Sequence, residues 1–321
     1  MEFKTERYLH DCRSSIDDAL ERYLKKTGAG SSLLHQAICY SVLDAGKRFR
    51  PTLTLAVGEL FGAKRRALLP FACAVELIHC YSLIHDDLPA MDNDDLRRGK
   101  PSCHKRFGEA IALLAGDALL TEAFFLMSDP GAVRSVGGPL IAKLIREISA
   151  AAGIRGMIGG QTTELELARR KVTPAVLEKL DRLKTGALIT TAARVGALIG
   201  GAGGKDLDRV TRYAQALGLA FQITDDILDG HEVAGDNGKG AVNYLSVTDP
   251  QRARERVQGL LNDCLREMRP YGGAAEALRE LARFVALRTD DGEGEEKRSL
   301  APASGLDGAQ RLAGATHRRE P

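Results

Sequence analysis

The chain has no C-x-x-C pair, and its six cysteines (Cys12, Cys39, Cys73, Cys80, Cys103 and Cys264) are scattered along 321 residues. That spacing argues against a disulfide framework or a zinc site and fits reduced thiols. Nor is there an excess of one charge. The net value is +2, so nucleic acid is not an expected partner and any anion binding must come from local clusters. No uninterrupted apolar run is long enough to span a bilayer, and the opening MEFKTERYLHDC carries no signal-peptide stretch. A cytoplasmic protein without stable membrane insertion is therefore expected. Alternation of apolar and polar residues, the mark of strands and hairpins, is missing as well.

What remains is helical periodicity. Leu207, Val210, Ala214, Leu217, Phe221 and Leu228 recur at three- and four-residue spacing, which draws one stripe along a helix. Leu177, Leu180, Ala187, Leu188, Thr191 and Val195 do the same one helix earlier. Gly and Pro punctuate between such stretches at 99–101, 130–131, 200–204, 235–240 and 272–273. Apolar residues make up 44% of the chain, enough for a substantial core. The expectation is an all-α fold of about ten helices, forming one domain over residues 1–289. Residues 290–321 are rich in charge, Gly, Ala and Pro, and are expected to be a disordered tail.

Two acidic clusters interrupt the apolar pattern: HDDLPAMDNDDLRRG from His85 to Gly99, and TDDILD from Thr224 to Asp229. In the second, Asp225 and Asp229 share a helix face, with Asp226 beside them. An isolated helical D-D-x-x-D is commonly a solvated acidic face. Here the flanking Phe221, Ile223, Ile227 and Leu228 are apolar, and clustered carboxylates in such a setting repel unless a cation neutralises them. Oxygen-only ligands select a hard ion such as Mg2+. In the first cluster, Asp86, Asp87 and Asp92 are followed by Arg97 and Arg98. Carboxylates for a metal beside guanidiniums for phosphate oxygens suit a diphosphate–magnesium complex. A mixed-charge surface loop is the alternative, although the apolar lead-in VELIHCYSLIH argues against it. The upstream GKRFRP, with Lys47, Arg48 and Arg50, reads alone as an exposed basic turn, and His79 alone as a core histidine. Beside two acidic clusters, the basic group becomes a candidate second anion site.

The segments GKRFRP, ELIHCYSLIHDDLPAMDNDDLRRGKPSCHKRFGEA, LAGDALL, GGQTTELE, KTGALI and GLAFQITDDILD, in this order, closely resemble the short-chain trans-prenyl diphosphate synthases. The resemblance spans roughly Ala37 to Leu287. It implies an all-α, usually homodimeric enzyme whose helices surround a central cavity and that condenses isopentenyl diphosphate with allylic diphosphates. It further implies three Mg2+ ions per active site, with Mn2+ able to substitute. By the same resemblance Asp86, Asp87, Asp92, Asp225, Asp226 and Asp229 serve the metals, with Asp86, Asp92 and Asp225 as the primary ligands. Arg97, Lys184 and Gln222 match contacts to the allylic substrate, and Thr185 lies beside the developing cation. Lys47, Arg50, His79 and Arg98 match the isopentenyl diphosphate site, and Gln161 belongs to the G-G-Q segment. The loop after Asp229 is shorter than in such enzymes and retains only Lys239, so the lysine that it replaces is left open. Glu164 stands where an aspartate is common, and Asn93 follows Asp92 in the acidic run.

Product length is open to a physical argument. Tyr81, next to Ser82, lies five positions before Asp86, about a turn and a half down a helix. A phenol ring there should stop a chain anchored by its diphosphate at the metals. The inserted Pro89 and Ala90 displace the local backbone. Relatives that combine these features stop at fifteen carbons, which implies farnesyl diphosphate, with geranylgeranyl diphosphate the alternative. A terpene cyclase needs no second diphosphate site and usually replaces the second acidic motif, and a non-catalytic modulating subunit loses an aspartate motif; this chain keeps both motifs and the Lys47–Arg50 group.

Overall fold

Proline and glycine cut the chain where the periodicity breaks, and helices fill nearly everything between. A computed structural model describes residues 5–27, 32–43, 46–167, 170, 172–232 and 243–288. The helices are α1 (Thr5–Thr27), α2 (Leu33–Val42), α3 (Phe49–Leu60), α4 (Arg65–Asp86), α5 (Cys103–Phe107), α6 (Glu109–Met127) and α7 (Pro130–Val136). They continue with α8 (Gly138–Ala152), α9 (Met157–Leu167), α10 (Pro174–Asp181), α11 (Ala187–Ile199), α12 (Gly204–Glu232), α13 (Pro250–Met268) and α14 (Glu276–Leu287). Eleven of these run ten residues or more, in keeping with the all-α expectation. The region expected as a tail, 290–321, lies outside the described residues.

Two departures from simple periodicity shape the site. Between α10 and α11 the chain makes a π-helical turn, Arg182–Gly186, so the stripe through Leu177 and Val195 spans three linked segments. A minimal hairpin pairs Leu96–Arg97 with Lys100–Pro101. Its turn residues, Arg98 and Gly99, have φ of 55° and 75°. Both take the left-handed region that such a tight hairpin turn requires. Strands of two residues are too short for any alternation to show in the sequence.

Helix α4 is the central beam, with Phe71, Ala74, Val75 and Ile78 among its buried residues. It packs chiefly against α6 and α3. One apolar core gathers around α4, α6, α8 and α11, and a second gathers around α12, α13 and α14. Helices α3 and α11, packed on each other, contribute residues to both. By length and composition alone, α4 and α6 could each cross a membrane. The face of α4 is spent on the core, whereas α6 leaves Leu113, Leu114 and Phe125 exposed.

Arg48 is the lock at the N-terminus of α3. It takes the left-handed region at φ 48° and is buried. Its guanidinium donates to Glu76 Oε1 at 2.7 Å, Asp17 Oδ1 at 2.8 Å and the Val42 carbonyl at 2.7 Å. Of the basic group read in the sequence, Arg48 therefore ties α1, α2 and α4 together at the cavity's border, while Arg50, two residues on, lines the cavity with a buried Nε that has no partner. Removing one member of such a buried pair leaves the other charge uncompensated. Arg48→Met is expected to cost about 3–5 kcal/mol of stability. Thermal unfolding checks this against Lys47→Ala, whose side chain is exposed and whose loss should scarcely move Tm.

Candidate active site

A cavity of about 940 Å³ opens among α3, α4, α9, the π-helical turn and α12. Thirteen of the residues expected in the site line it: Lys47, Arg50, His79, Tyr81, Ser82, Asp86, Arg97, Arg98, Gln161, Lys184, Thr185, Gln222 and Asp225; Arg48 lines it as well. Asp87, Asp92 and Asp226 are not among its lining residues. The side chain of Asp229 and all of Lys239 lie outside the described residues.

The two acidic motifs arrive on different helices. Asp86 ends α4, and the Asp92 backbone N–H donates to the Asp86 carbonyl at 2.9 Å, folding the motif back on itself. Burial pushes the Asp86 carboxyl up to about 7; Lys184 pulls it down, and Asp92 pushes it further up. Burial raises Asp92 too, against the pull of Lys184. Asp225, on α12, is raised by burial and drawn back by Arg288 and Lys47. Carboxyls held above their ordinary range by burial and by each other gain from a shared cation. Among the described residues no three metal-ligating side chains converge on one point.

The second aspartate of each motif has a different job. Asp87 is buried and takes Arg97 Nε at 2.9 Å, while a second guanidinium nitrogen of Arg97 contacts the same oxygen. The pair sets the direction in which Arg97 enters the cavity. Asp226 accepts the Tyr244 backbone N–H at 2.6 Å and Gln222 Nε2 at 2.9 Å. It thereby anchors the chain that re-enters after residue 242 and orients the Gln222 amide.

Gln222 in turn accepts the Thr185 hydroxyl at 2.8 Å. Its single proton committed, the Thr185 oxygen keeps its lone pairs for whatever faces it. Lys184, on the same π turn, bonds to Glu164 of α9. This juncture requires glycine at position 160, where a Cβ would lie 2.4 Å from the Lys184 backbone nitrogen. The G-G-Q segment thus lets α9 approach the π turn closely, bringing Gln161 and Lys184 to the same wall.

The basic side is built for an anion. Buried donors Arg50 Nε and Gln161 Nε2 have no hydrogen-bond partner. Such donors are costly to leave unmet, and a ligand with several oxygens would satisfy them. Arg50 Nη1 lies 3.4 Å from His79 Nε2. Burial, then Arg50 and Arg98, holds His79 well below its usual range, so the ring is a neutral imidazole at neutral pH.

Two participants escaped the sequence reading. Arg288, the residue after α14, lines the cavity, pairs with Asp225 at 2.8 Å and lies 5.5 Å over the Phe221 ring. No motif marks it, because its place depends on α14 folding back against α12. Asp181, at the entry to the π turn, is buried with Oδ2 unpartnered. Its carboxyl is pushed up to about 8, by burial first and then by Asp226, Glu164 and Glu178. An acid whose folded value exceeds its unfolded one destabilises the fold as pH climbs from the ordinary carboxylate range to about 8. Asp181→Asn should therefore raise Tm relative to the parent at pH 8.5 and much less at pH 5. A Tm difference that does not grow with pH would contradict the burial of an ionising carboxyl.

With this geometry in place, similarity to known proteins is informative. The family model described as polyprenyl synthetase matches residues 31–246. The farnesyl diphosphate synthase of Escherichia coli (strain K12) is 40% identical over 292 residues, covering 87% of this chain and 97% of that one. That of Geobacillus stearothermophilus is 39% identical over 295 residues, covering 89% and 99%. Among solved structures, an FPP/GFPP synthase from Zymomonas mobilis superposes with a TM-score of 0.80 at 35% identity, covering 88% of this chain and 98% of the other. The chain belongs to the polyprenyl synthetase family.

Proposed function

We propose that this chain is a prenyltransferase that condenses isopentenyl diphosphate head to tail with dimethylallyl and geranyl diphosphates, giving farnesyl diphosphate. The observation that carries this reading is one cavity lined both by carboxylates from α4 and α12 and by basic side chains and buried donors without partners, Arg50 Nε and Gln161 Nε2. Two anionic substrates fit such a site, one through metal and one through direct contact. Asp86 and Asp92 from one motif and Asp225 from the other would hold Mg2+, three ions per site by the family's pattern. Since their carboxylates do not converge by themselves, diphosphate oxygens would complete the coordination. The metal supplies electrostatic stabilisation of the diphosphate as it leaves.

The chain's own residues do the rest. Arg97, oriented by Asp87, and Lys184, oriented by Glu164, bind the allylic diphosphate and stabilise the growing negative charge on it. Thr185 presents oxygen lone pairs to the allylic carbon as it becomes positive. Lys47, Arg50, Arg98 and the neutral His79 hold isopentenyl diphosphate with its double bond facing that carbon. The allylic C–O bond breaks, the new C–C bond forms, and the proton lost afterwards goes to the released diphosphate. Asp229, within α12, belongs to the family's second aspartate motif and would serve the metals, and Lys239, further along the sequence, would add a cation to the site.

The Tyr81 ring, 5% exposed and on the cavity wall, blocks elongation after fifteen carbons. Its neighbour Ser82 turns its hydroxyl back to the His79 carbonyl at 2.9 Å and leaves that side of the wall small. A cytoplasmic homodimer completes the reading. Leu114, Ala118, Thr121 and Phe125 follow along the outward face of α6 at three- and four-residue spacing, with Leu114 51% and Phe125 65% exposed. A second copy would cover that stripe.

Product analysis with labelled dimethylallyl diphosphate, isopentenyl diphosphate and Mg2+ tests the assignment. Chelation should abolish turnover. Asp86→Ala or Asp225→Ala should each cut it by about 10²-fold or more at unchanged circular dichroism. Lys47→Ala and Arg50→Ala should chiefly raise KM for isopentenyl diphosphate, and Arg97→Ala should impair use of the allylic substrate. Turnover by the metal-stripped protein would sink the proposal. Light scattering should give twice the chain mass, falling toward the monomer for Leu114→Glu/Phe125→Glu; a monomeric parent would refute the pairing.

A further inference from the structure

Tyr81 can limit product length only while its ring stays across the cavity, and nothing polar holds it there. Its hydroxyl is buried and has no hydrogen-bond partner. The ring does meet His85, one helical turn later on α4, with centroids 5.8 Å apart and planes at 75°. Edge-to-face contacts of this kind favour a defined orientation of both rings. Both side chains line the cavity.

His85, unlike Tyr81, is tethered. Its Nε2 lies 3.0 Å from the Leu113 carbonyl of α6 and 4.0 Å from Asp117 Oδ1. The imidazole reaches that carbonyl by entering the space that a side chain at position 116 would occupy. A Cβ on Gly116 would sit 2.1 Å from His85 Nε2 and 2.4 Å from its Cδ2. Neither backbone can yield easily, because Ala112, Ala115 and Leu119 on α6 and Ile78 and Ile84 on α4 are buried in the same core.

We infer that His85 is a second product-length determinant, a positioning residue seated in the Gly116 notch that holds the Tyr81 ring across the growing chain. The inference rests on the reading of Tyr81 as the stop and extends it to a relay from α6. Without a ring at position 85, Tyr81 gains rotameric freedom and the cavity beside it deepens. With a methyl group at position 116, the imidazole is driven toward Tyr81 and the cavity becomes shallower.

The product ratio reads this relay directly, since a general loss of stability lowers rate without changing chain length. Tyr81→Ala sets the reference, shifting product to twenty carbons or beyond. His85→Ala and His85→Gln should raise the twenty- to fifteen-carbon ratio by about tenfold, the glutamine keeping a polar tether but no ring. His85→Phe, which restores a ring, should keep fifteen carbons. Gly116→Ala should raise the ten-carbon fraction, and this effect should vanish in His85→Ala/Gly116→Ala. If Tyr81→Ala lengthens the product while both His85→Gln and Gly116→Ala leave the parental distribution, the relay is wrong and the Tyr81 stop survives. If Tyr81→Ala changes nothing, the stop itself is wrong and the relay falls with it. Should the His85 variants turn over too slowly to assay, an unaltered distribution for Gly116→Ala overturns the relay alone.

Discussion

Opposite charges that share a cavity will neutralise each other wherever their side chains can touch, and a site for two diphosphates depends on preventing that. The carboxylates of α4 and α12 and the cations of α3 and the π turn are mounted on separate helices that line one cavity. Where contact is allowed, it serves orientation. Asp87 aims Arg97, Glu164 aims Lys184, and Asp226 fixes Gln222 and, through it, Thr185. Burial holds Asp86 and Asp92 above the ordinary carboxylate range, and the buried donors Arg50 Nε and Gln161 Nε2 have no hydrogen-bond partner.

That arrangement stores unfavourable free energy, and the surrounding fold must offset it. Two apolar cores on either side of α3 and α11 do so. Arg48 shows how closely the two tasks lie in the chain. It is flanked by Lys47 and Phe49, two residues from Arg50, and pairs with Glu76 and Asp17. Asp181 shows the reverse, a buried carboxyl with little to neutralise it beside the π turn whose Lys184 and Thr185 line the cavity. A π turn adds one residue to a helical turn and so rotates Lys184 and Thr185 relative to the apolar face of α10 and α11.

Much of this was legible in the sequence because its cause is local. Helix α12 could be read from Leu207 to Leu228 because burial on one face imposes a 3.6-residue period. The all-α class followed from such stripes and the glycine and proline breaks between them. The two aspartate motifs and GKRFRP were recognisable because charge at fixed spacing within an apolar setting requires a cation or an anion, and their order along the chain matched one family. The roles within each motif were less legible. Identical aspartates at 86 and 87, or at 225 and 226, point in different directions from a helix, and only their partners separate a metal-facing carboxyl from one that orients a neighbour.

Other features depend on segments distant in sequence and left no local mark. Arg288 meets Asp225 because α14 packs back across α12, a contact over more than sixty positions. Gly116 looks like any glycine in an apolar helix until α4 brings His85 into its notch. Lys184 meets Glu164 only because α9 lies close against the π turn. The sequence by itself determined helix positions, the charge available and the chemistry that charge can serve, all consequences of residue type and spacing. Tertiary structure alone decided which carboxylates stay unpaired, which cations are spent on the core and how deep the cavity runs, because each is settled by distances between helices that no local pattern encodes.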